Sequence, residues 1–427
     1  MPGTECGSLS VPVDYSAQGK GANRFNLQVY RLKAADQSAK RGTIMNFPSG
    51  PGASGDEGFA TIRQFTQEYD LIGADLRGTG LSGPLECSTE DILKIPYIPP
   101  TDSVAMNKLV ENQRSFWSTC RTQPENLKGN LDAFSNAKDA ESIRKALGLG
   151  KISLYGFSYG TLTAQRYLGL FGGNVSSSIL EGVMNPNQSR REFVMTAAAG
   201  VETIYGQFDQ WCQQSSECVL QGQDITEVFA MARENAKKGM IFGTLFGVPW
   251  SEPMVTRFFE VSAGTDQFIL AATGLHDLAS GRNPIPDDGP NEPDASSIAY
   301  ADPIVCSDFP MAVSSIEESR ADLAASRKAA PVTRYSTNSS NYSSICIGGP
   351  GPVPGSSAPV ASRSMHPTLL LSNSFDPATP KVWAESVKTQ LGSKAVSVVS
   401  DQVGHGGAQQ HPTTKQKVID YLKETSD

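Results

Sequence analysis

A serine, an aspartate and a histidine, far apart along 427 residues but each set at a turn, are the groups in this chain best placed to do chemistry. Residues 154 to 161 read LYGFSYGT, which puts Ser158 at the centre of a G-x-S-x-G pentapeptide. The apolar run KISLY leads into it and the helix-forming stretch TLTAQRYL follows. Strand, tight turn and helix in that order hold a serine hydroxyl at the tip of a sharp bend, where it can act as a nucleophile. Gly156 and Gly160 are then a steric requirement, because the bend leaves no room for side chains two residues either side. A pentapeptide this short also arises by chance, so the other parts must be present and in order.

An acid and a histidine should follow, each in a loop directly after a strand. Residues 368 to 375 (TLLLSNSF) predict a buried strand running into Asp376, with Pro377 and Pro380 to stop it and open the next helix. Residues 395 to 401 (AVSVVSD) have the β-branched density of a strand and lead into VGHGG, where His405 lies between glycines. The chain has four histidines. His276 falls in a helix-like stretch, His366 precedes the Asp376 strand and enters at its wrong end, and His411 lies in a polar run just after the glycine loop. Loop position selects His405 as the general base, with His411 as the runner-up, and Asp376 as the group that orients the imidazole.

The fourth part is a pair of backbone N–H groups aimed at the negative charge that develops on an attacked carbonyl. Residues 41 to 55 (RGTIMNFPSGPGASG) read as a strand and a glycine-rich loop. The N–H groups of Gly50 and Tyr159 are the expected oxyanion donors. A plain surface turn or a phosphate loop is the alternative, and the absence of a G-K-[ST] ending argues against the second. Asp75 and Arg77, in DLRGTGLSG after the apolar run YDLIGA, are expected to shape a turn, with substrate contact as the alternative.

Four stretches taken together resemble the tripeptidyl aminopeptidase-like and prolyl aminopeptidase-like branch of the α/β-hydrolases. They are CGSLSVPVDY, SGPGASG with DLIGADLRGTGLSGP, NAKDAESIRKALGLGKISLYGFSYGT, and SFDPATP followed by GHG. The resemblance implies an α/β-hydrolase fold, a mostly parallel sheet flanked by helices with an inserted, mainly helical lid, and a serine peptidase working through an acyl-enzyme. Two departures stand out. The prolyl branch has HGGPG in the oxyanion loop where this chain has PSGPG, so Pro48 and Ser49 are changed and Gly50 is kept. The secreted peptidases tend to have aspartate before Gly-Val after the sixth strand, and here Glu181 occupies that position in LEGVMNP. No motif marks the charged groups that would hold a substrate's free amino terminus.

The elements needed to position these residues are legible along the chain. Strands of the first half alternate with amphipathic helices such as AKDAESIRKALG, which fits a parallel sheet covered on both faces. The expected organisation is a first part of the catalytic core at 1–186, an inserted helical lid at 187–360, and a second core part at 361–427. Within the lid, REFVMTAAAGVETIYGQFDQW, ITEVFAMARENAKKG and ESRADLAASRKAA read as helices, and GRNPIPDDGPNEPDASS and GGPGPVPGSSAPVAS as loops. The aromatics Phe193, Tyr205, Phe208, Trp211, Phe242, Phe246 and Trp250 either line a pocket or form the lid's own core.

A net charge of −8 with no basic run argues against nucleic acid and anionic membrane as partners, and no apolar stretch approaches the ~20 residues of a membrane span. The N-terminus lacks the pattern of a signal peptide. Of seven cysteines, Cys212 and Cys218 are near enough to close a small loop, and Cys87 with Cys120 is a further candidate bridge. The family resemblance implies a Cys306–Cys346 bridge, which leaves Cys6 odd. These cysteines, with sequons at Asn174, Asn187, Asn338 and Asn341, point to the secretory pathway, with a cytoplasmic location as the alternative. No cofactor or metal is expected. The expected activity is release of short peptides or proline from free amino termini. The alternatives are a small-molecule ester, lactone or amide hydrolase or an acyl-transferring enzyme of secondary metabolism, and a catalytically silent binding protein.

Overall fold

The computed structural model describes residues 2–17, 23–245, 248–285 and 302–425. Among them the chain forms strands β1 (Glu5–Pro12), β2 (Arg24–Leu32), β3 (Gly42–Phe47), β4 (Tyr69–Ala74), β5 (Ile152–Phe157) and β6 (Val175–Glu181). The strands β7 (Thr244–Leu245), β8 (Val248–Pro249), β9 (Thr368–Phe375) and β10 (Ala395–Val403) follow. Helices α1 (Glu57–Thr61), α2 (Thr89–Ile92), α3 (Ser103–Thr119), α4 (Ala133–Ala146) and α5 (Gly160–Phe171) belong to the first half. Between β6 and β9 lie α6 (Arg190–Gln214), α7 (Ile225–Lys237), α8 (Glu252–Ala263), α9 (Phe268–Ala279), α10 (Ile316–Ala329) and α11 (Thr337–Ile345). Helices α12 (Lys381–Leu391) and α13 (Pro412–Thr425) close the chain.

One sheet runs in the order β1-β2-β4-β3-β5-β6-β9-β10, antiparallel at β1/β2 and β2/β4 and parallel from β4 through β10. Parallel strands need crossover helices, and those helices bury both faces of the sheet. The apolar runs in β3, β4, β5 and β6 are accordingly buried almost end to end. Side chains alternate between two cores, as a period of two requires. Leu154 and Leu370 face the large cluster under α4, α5 and α12, while Tyr155, Leu369 and Leu371 face the smaller one under α1 and α13. The mostly parallel sheet with helices on both sides is the architecture anticipated from the alternating elements.

Among the described residues, the segment between β6 and β9 is helical apart from the β7–β8 pair and its connecting loops. Its helices α6, α7 and α10 fall where the sequence pattern puts them, and α9 carries the helix-like stretch around His276; α8 was not anticipated. A further core, built around Val201, Phe208, Phe229, Phe259 and Leu275, holds α6 to α9 together. Other parts of the segment join the main core instead, with Phe193 packed against Phe309, Tyr342 and Trp383. Phe208 and Trp250 are buried, Tyr205 and Trp211 lie partly buried at the edge of the further core, and Phe242 is 83% exposed. Phe246 lies outside the described residues, as does most of the first Pro/Gly-rich run. Disulfides join Cys87–Cys120, Cys212–Cys218 and Cys306–Cys346, and Cys6 is free and exposed. No described helix is long and apolar enough to cross a membrane.

The DLRGTG turn after β4 is held from inside. Arg77 is fully buried and donates to both carboxylate oxygens of Asp139 on α4 at 2.7 Å, and to the carbonyls of Pro12, Val13 and Asn130. Asp75, 1% exposed, accepts from the N–H groups of Gly55 and Leu81. Both residues thus shape the turn, and burial leaves neither free to contact a substrate. A guanidinium paired this deep becomes an uncompensated charge when its partner is removed. Asp139→Ala is therefore expected to lower folding stability by about 3–5 kcal/mol, read from the shift of the urea unfolding midpoint.

Candidate active site

Ser158 occupies the turn between β5 and α5 with φ of +52°, a left-handed conformation that L residues rarely adopt. Three contacts keep the turn sharp. The Ser158 N–H donates to the Glu181 carbonyl at the end of β6 (2.9 Å), and the Ser158 carbonyl accepts from the Thr161 N–H (3.0 Å) and hydroxyl (2.6 Å). The elbow also presses against β3. A Cβ at Gly160 would sit 2.1 Å from the Phe47 carbonyl oxygen and 2.5 Å from that of Pro48, so only glycine fits. That contact brings Tyr159 beside the start of the loop that carries Gly50.

Asp376 and His405 emerge at the carboxyl ends of the neighbouring parallel strands β9 and β10, and the structure brings them together. His405 Nδ1 donates to Asp376, 2.9 Å from Oδ2 and 3.1 Å from Oδ1. A carboxylate offers only acceptors, so the ring proton belongs on Nδ1 and Nε2 is left with a free lone pair in the neutral imidazole. Asp376 is 2% exposed and accepts further bonds from the N–H groups of Ala378 and Thr379 and from the Thr379 hydroxyl. The His405 ring stacks on Phe157, the residue before Ser158, with ring centroids 4.9 Å apart. It also lies over Gly182, where a Cβ would be 3.0 Å from His405 Cε1. Ser158, bound to the Glu181 carbonyl, and His405, packed over Gly182, thus both lie against the end of β6.

The other histidines stand elsewhere. His276 lies on α9 beside Asp277 and Arg282, and His411 bonds Thr413 at the start of α13. His366 is two residues ahead of β9, at the end of the strand remote from Asp376. Gly50 is exposed on its loop with φ of +113°.

Three residues that hold the site were not singled out for this from sequence. Asn373, buried in β9, donates to the carbonyls of Gly404 (2.8 Å) and Gly406 (2.7 Å), gripping His405 from both sides. Its signal is an amide inside an apolar strand run. Thr379 bridges Asp376 and the His405 ring, 3.0 Å and 3.3 Å away. Glu181, noted above only as a departure from the family pattern, is fully buried at the end of β6. Its side chain accepts from the Tyr155 hydroxyl and the Gln409 N–H, joining β5 to the chain just after His405. Burial pushes the Glu181 carboxyl above its ordinary range against these hydrogen bonds.

Burial by itself disfavours a charged imidazole at His405. The Asp376 charge, the hydrogen bond to it and the nearby Glu181 outweigh burial, and the His405 pKa is raised above the ordinary 6.5. An NMR titration of the His405 ring is therefore expected to have its midpoint above pH 6.5. In Asp376→Asn the largest favourable charge is gone and burial remains, so the midpoint should fall below 6.5.

Comparison with known proteins gives three findings. The profile of the family described as "alpha/beta hydrolase fold" matches residues 42–412. Among characterised sequences, the chain is 30% identical over 228 residues to the serine protease Hip1 of Mycobacterium tuberculosis, covering 51% of this chain and 43% of that protein. It is 28% identical over 198 residues to the tripeptidyl aminopeptidase of Streptomyces lividans, covering 44% and 36%. These matches span less than half the length of either relative. Among solved structures, the proline iminopeptidase of Mycobacterium smegmatis aligns over 98% of this chain and 99% of its own, at 14% identity and a TM-score of 0.41.

Proposed function

Since the chain belongs to the α/β hydrolase fold family, we propose that it is a serine hydrolase that releases short peptides or proline from free amino termini. The observation that carries this reading is the hydrogen bond from His405 to Asp376, with the His405 ring stacked on Phe157, the residue before a left-handed serine. His405 Nε2 takes the proton from Ser158 as the hydroxyl oxygen attacks a carbonyl carbon. Asp376 holds the tautomer and stabilises the imidazolium that forms. The N–H groups of Gly50 and Tyr159 receive the oxyanion, each worth about 2.7–4 kcal/mol of transition-state stabilisation. His405 then returns the proton to the leaving amine, and water, activated by the same imidazole, frees the enzyme from the acyl intermediate.

Similarity to a tripeptidyl aminopeptidase and a serine protease supports the peptidase specificity. On this reading residues 187–360 form a lid that limits the length of the substrate and excludes water, and 1–186 with 361–427 make the catalytic core. The three disulfides support an oxidising, extracytoplasmic setting.

A second reading, hydrolysis of a small-molecule ester, lactone or amide, is favoured by the state of two acids of the helical segment. Glu202 accepts from Val332 and Thr333, and Glu260 from Ser336 and Thr337, so most of the acceptor capacity of both carboxylates is used within the segment.

The deciding measurement is kcat/KM on a tripeptide arylamide with a free amino terminus against its N-acetylated twin. The peptidase reading expects a strong preference for the free amine. Equal or absent turnover of both, with p-nitrophenyl ester cleavage still requiring Ser158, would establish the small-molecule reading. Ser158→Ala should lose activity on the order of 10⁵- to 10⁶-fold on whichever substrate is used.

A further inference from the structure

The residue after the proposed nucleophile has a side chain with a task of its own. Tyr159 is 2% exposed, and its hydroxyl, carried on a rigid ring some distance from its backbone N–H, donates to Asp308 Oδ2. Asp308 is 1% exposed and belongs to the segment between β6 and β9, 149 residues further along the chain. Its other oxygen accepts from the N–H of Ala133, the first residue of α4, at 2.9 Å. Position at a helix N-terminus favours a carboxylate there.

Asp308 is itself immobilised. Its N–H donates to the Val305 carbonyl (3.0 Å), Cys306 two residues earlier is bridged to Cys346 at the end of α11, and the adjoining Ser307 carbonyl accepts from Val353 (2.9 Å). The groups around the pair are Asp132 at the N-cap of α4, Arg166 on α5, and Tyr342 on α11. Burial pushes the Asp308 carboxyl up to about 7, while the bonds from Tyr159 and Ala133 and the charge of Arg166 pull the other way. Isolated burial of a carboxyl is unfavourable, so its position is tied to the two donors that satisfy it.

We infer that Asp308 is a positioning residue for the oxyanion donor: by fixing the Tyr159 ring against the segment between β6 and β9, it fixes the direction of the Tyr159 N–H. The inference rests on the serine hydrolase reading above. The Tyr159 N–H shares its peptide plane with the Ser158 carbonyl, which Thr161 already holds through its N–H and hydroxyl, and the bond to Asp308 adds a restraint from the side-chain end. Anchoring the far end of the side chain removes the remaining freedom before the oxyanion forms. Preorganised donors of this kind act without reorganising during the reaction. The arrangement also couples the elbow to the inserted segment, so an event that shifts residues 302–310 would be felt in turnover with no change at Ser158.

The test uses the full chain and its Tyr159→Phe, Asp308→Ala and double variants. Tyr159→Phe keeps the ring and removes only the bonding hydroxyl, which leaves a readable protein if Asp308→Ala does not accumulate. Active sites are counted by labelling with a fluorophosphonate, and turnover of p-nitrophenyl acetate is expressed per labelled site. Affinity for a trifluoromethyl ketone, which adds the serine oxygen to its carbonyl carbon and leaves an oxyanion in the hole, is measured alongside.

Both single variants are expected to lose about tenfold or more in kcat per site with KM within about twofold, and to lose the same factor in ketone affinity. The double variant should fall no further than the worse single one, because both changes break one contact. A merely structural role would lower the number of labelled sites and leave turnover per site and ketone affinity intact, and that result overturns the inference. Turnover per site within about twofold of the unmodified chain in Tyr159→Phe overturns it as well. If the unmodified chain is not labelled at Ser158, the hydrolase reading fails and the inference falls with it.

Discussion

The left-handed backbone of Ser158 is the constraint around which this protein is arranged. At φ of +52° a serine pays in local strain, and only a surrounding structure that over-determines the turn can hold it there. The restraints come from two strands and a helix. Strand β6 takes the Ser158 N–H through the Glu181 carbonyl, β3 presses on Gly160 with its last carbonyls, and α5 begins at once, closing on the Ser158 carbonyl through Thr161. Because β3, β5 and β6 are adjacent in one parallel sheet, their carboxyl ends converge at one edge, and the elbow is fixed by that convergence.

The histidine loop depends on the same edge. His405 rests on Phe157 and Gly182, so the elbow and the end of β6 form its floor. Asn373 in β9 and Asp376 just after it hold the loop and the ring, and Thr379 bridges the acid and the imidazole. The helical segment packs against the same loops. Phe375 and Val403, which lead into the two loops, pack against its core, and α6 and α8 approach Pro380 and Pro377 so closely at Gly200 and Gly264 that a side chain would collide. The segment therefore bears on the geometry of the acid and histidine loops.

Buried carboxylates recur as joints in this fold, each with its donors supplied from different parts of the chain. Asp139 pairs with Arg77 to fix the turn after β4, and Asp75 in that turn holds Gly55 of the glycine-rich loop. Glu181 joins Tyr155 on β5 to Gln409 beyond the histidine loop, and Asp308 joins Tyr159 to α4. A buried carboxylate is costly unless every partner is in place, so each joint tolerates one arrangement of its neighbours and not a range of them.

The sequence by itself determined the elements and the local chemistry. Apolar and β-branched runs mark the strands, the glycines around Ser158 mark the elbow, and the loops after TLLLSNSF and AVSVVSD single out Asp376 and His405, because strand, turn and helix preferences act over a few neighbouring residues. What the sequence left open depends on contacts between residues that are distant along the chain. Arg77 could be read as a substrate contact until its pairing with Asp139, 62 positions away, was seen. The roles of Asn373, Glu181 and Asp308 have no local signature, since a single buried polar residue gains its meaning from the partner that satisfies it. The aromatics of the helical segment were equally ambiguous, because helical spacing gives a side chain's face and not what lies opposite. Tertiary structure decided these points, since a hydrogen bond in the interior is specified by two distant residues at once and neither records the other's position.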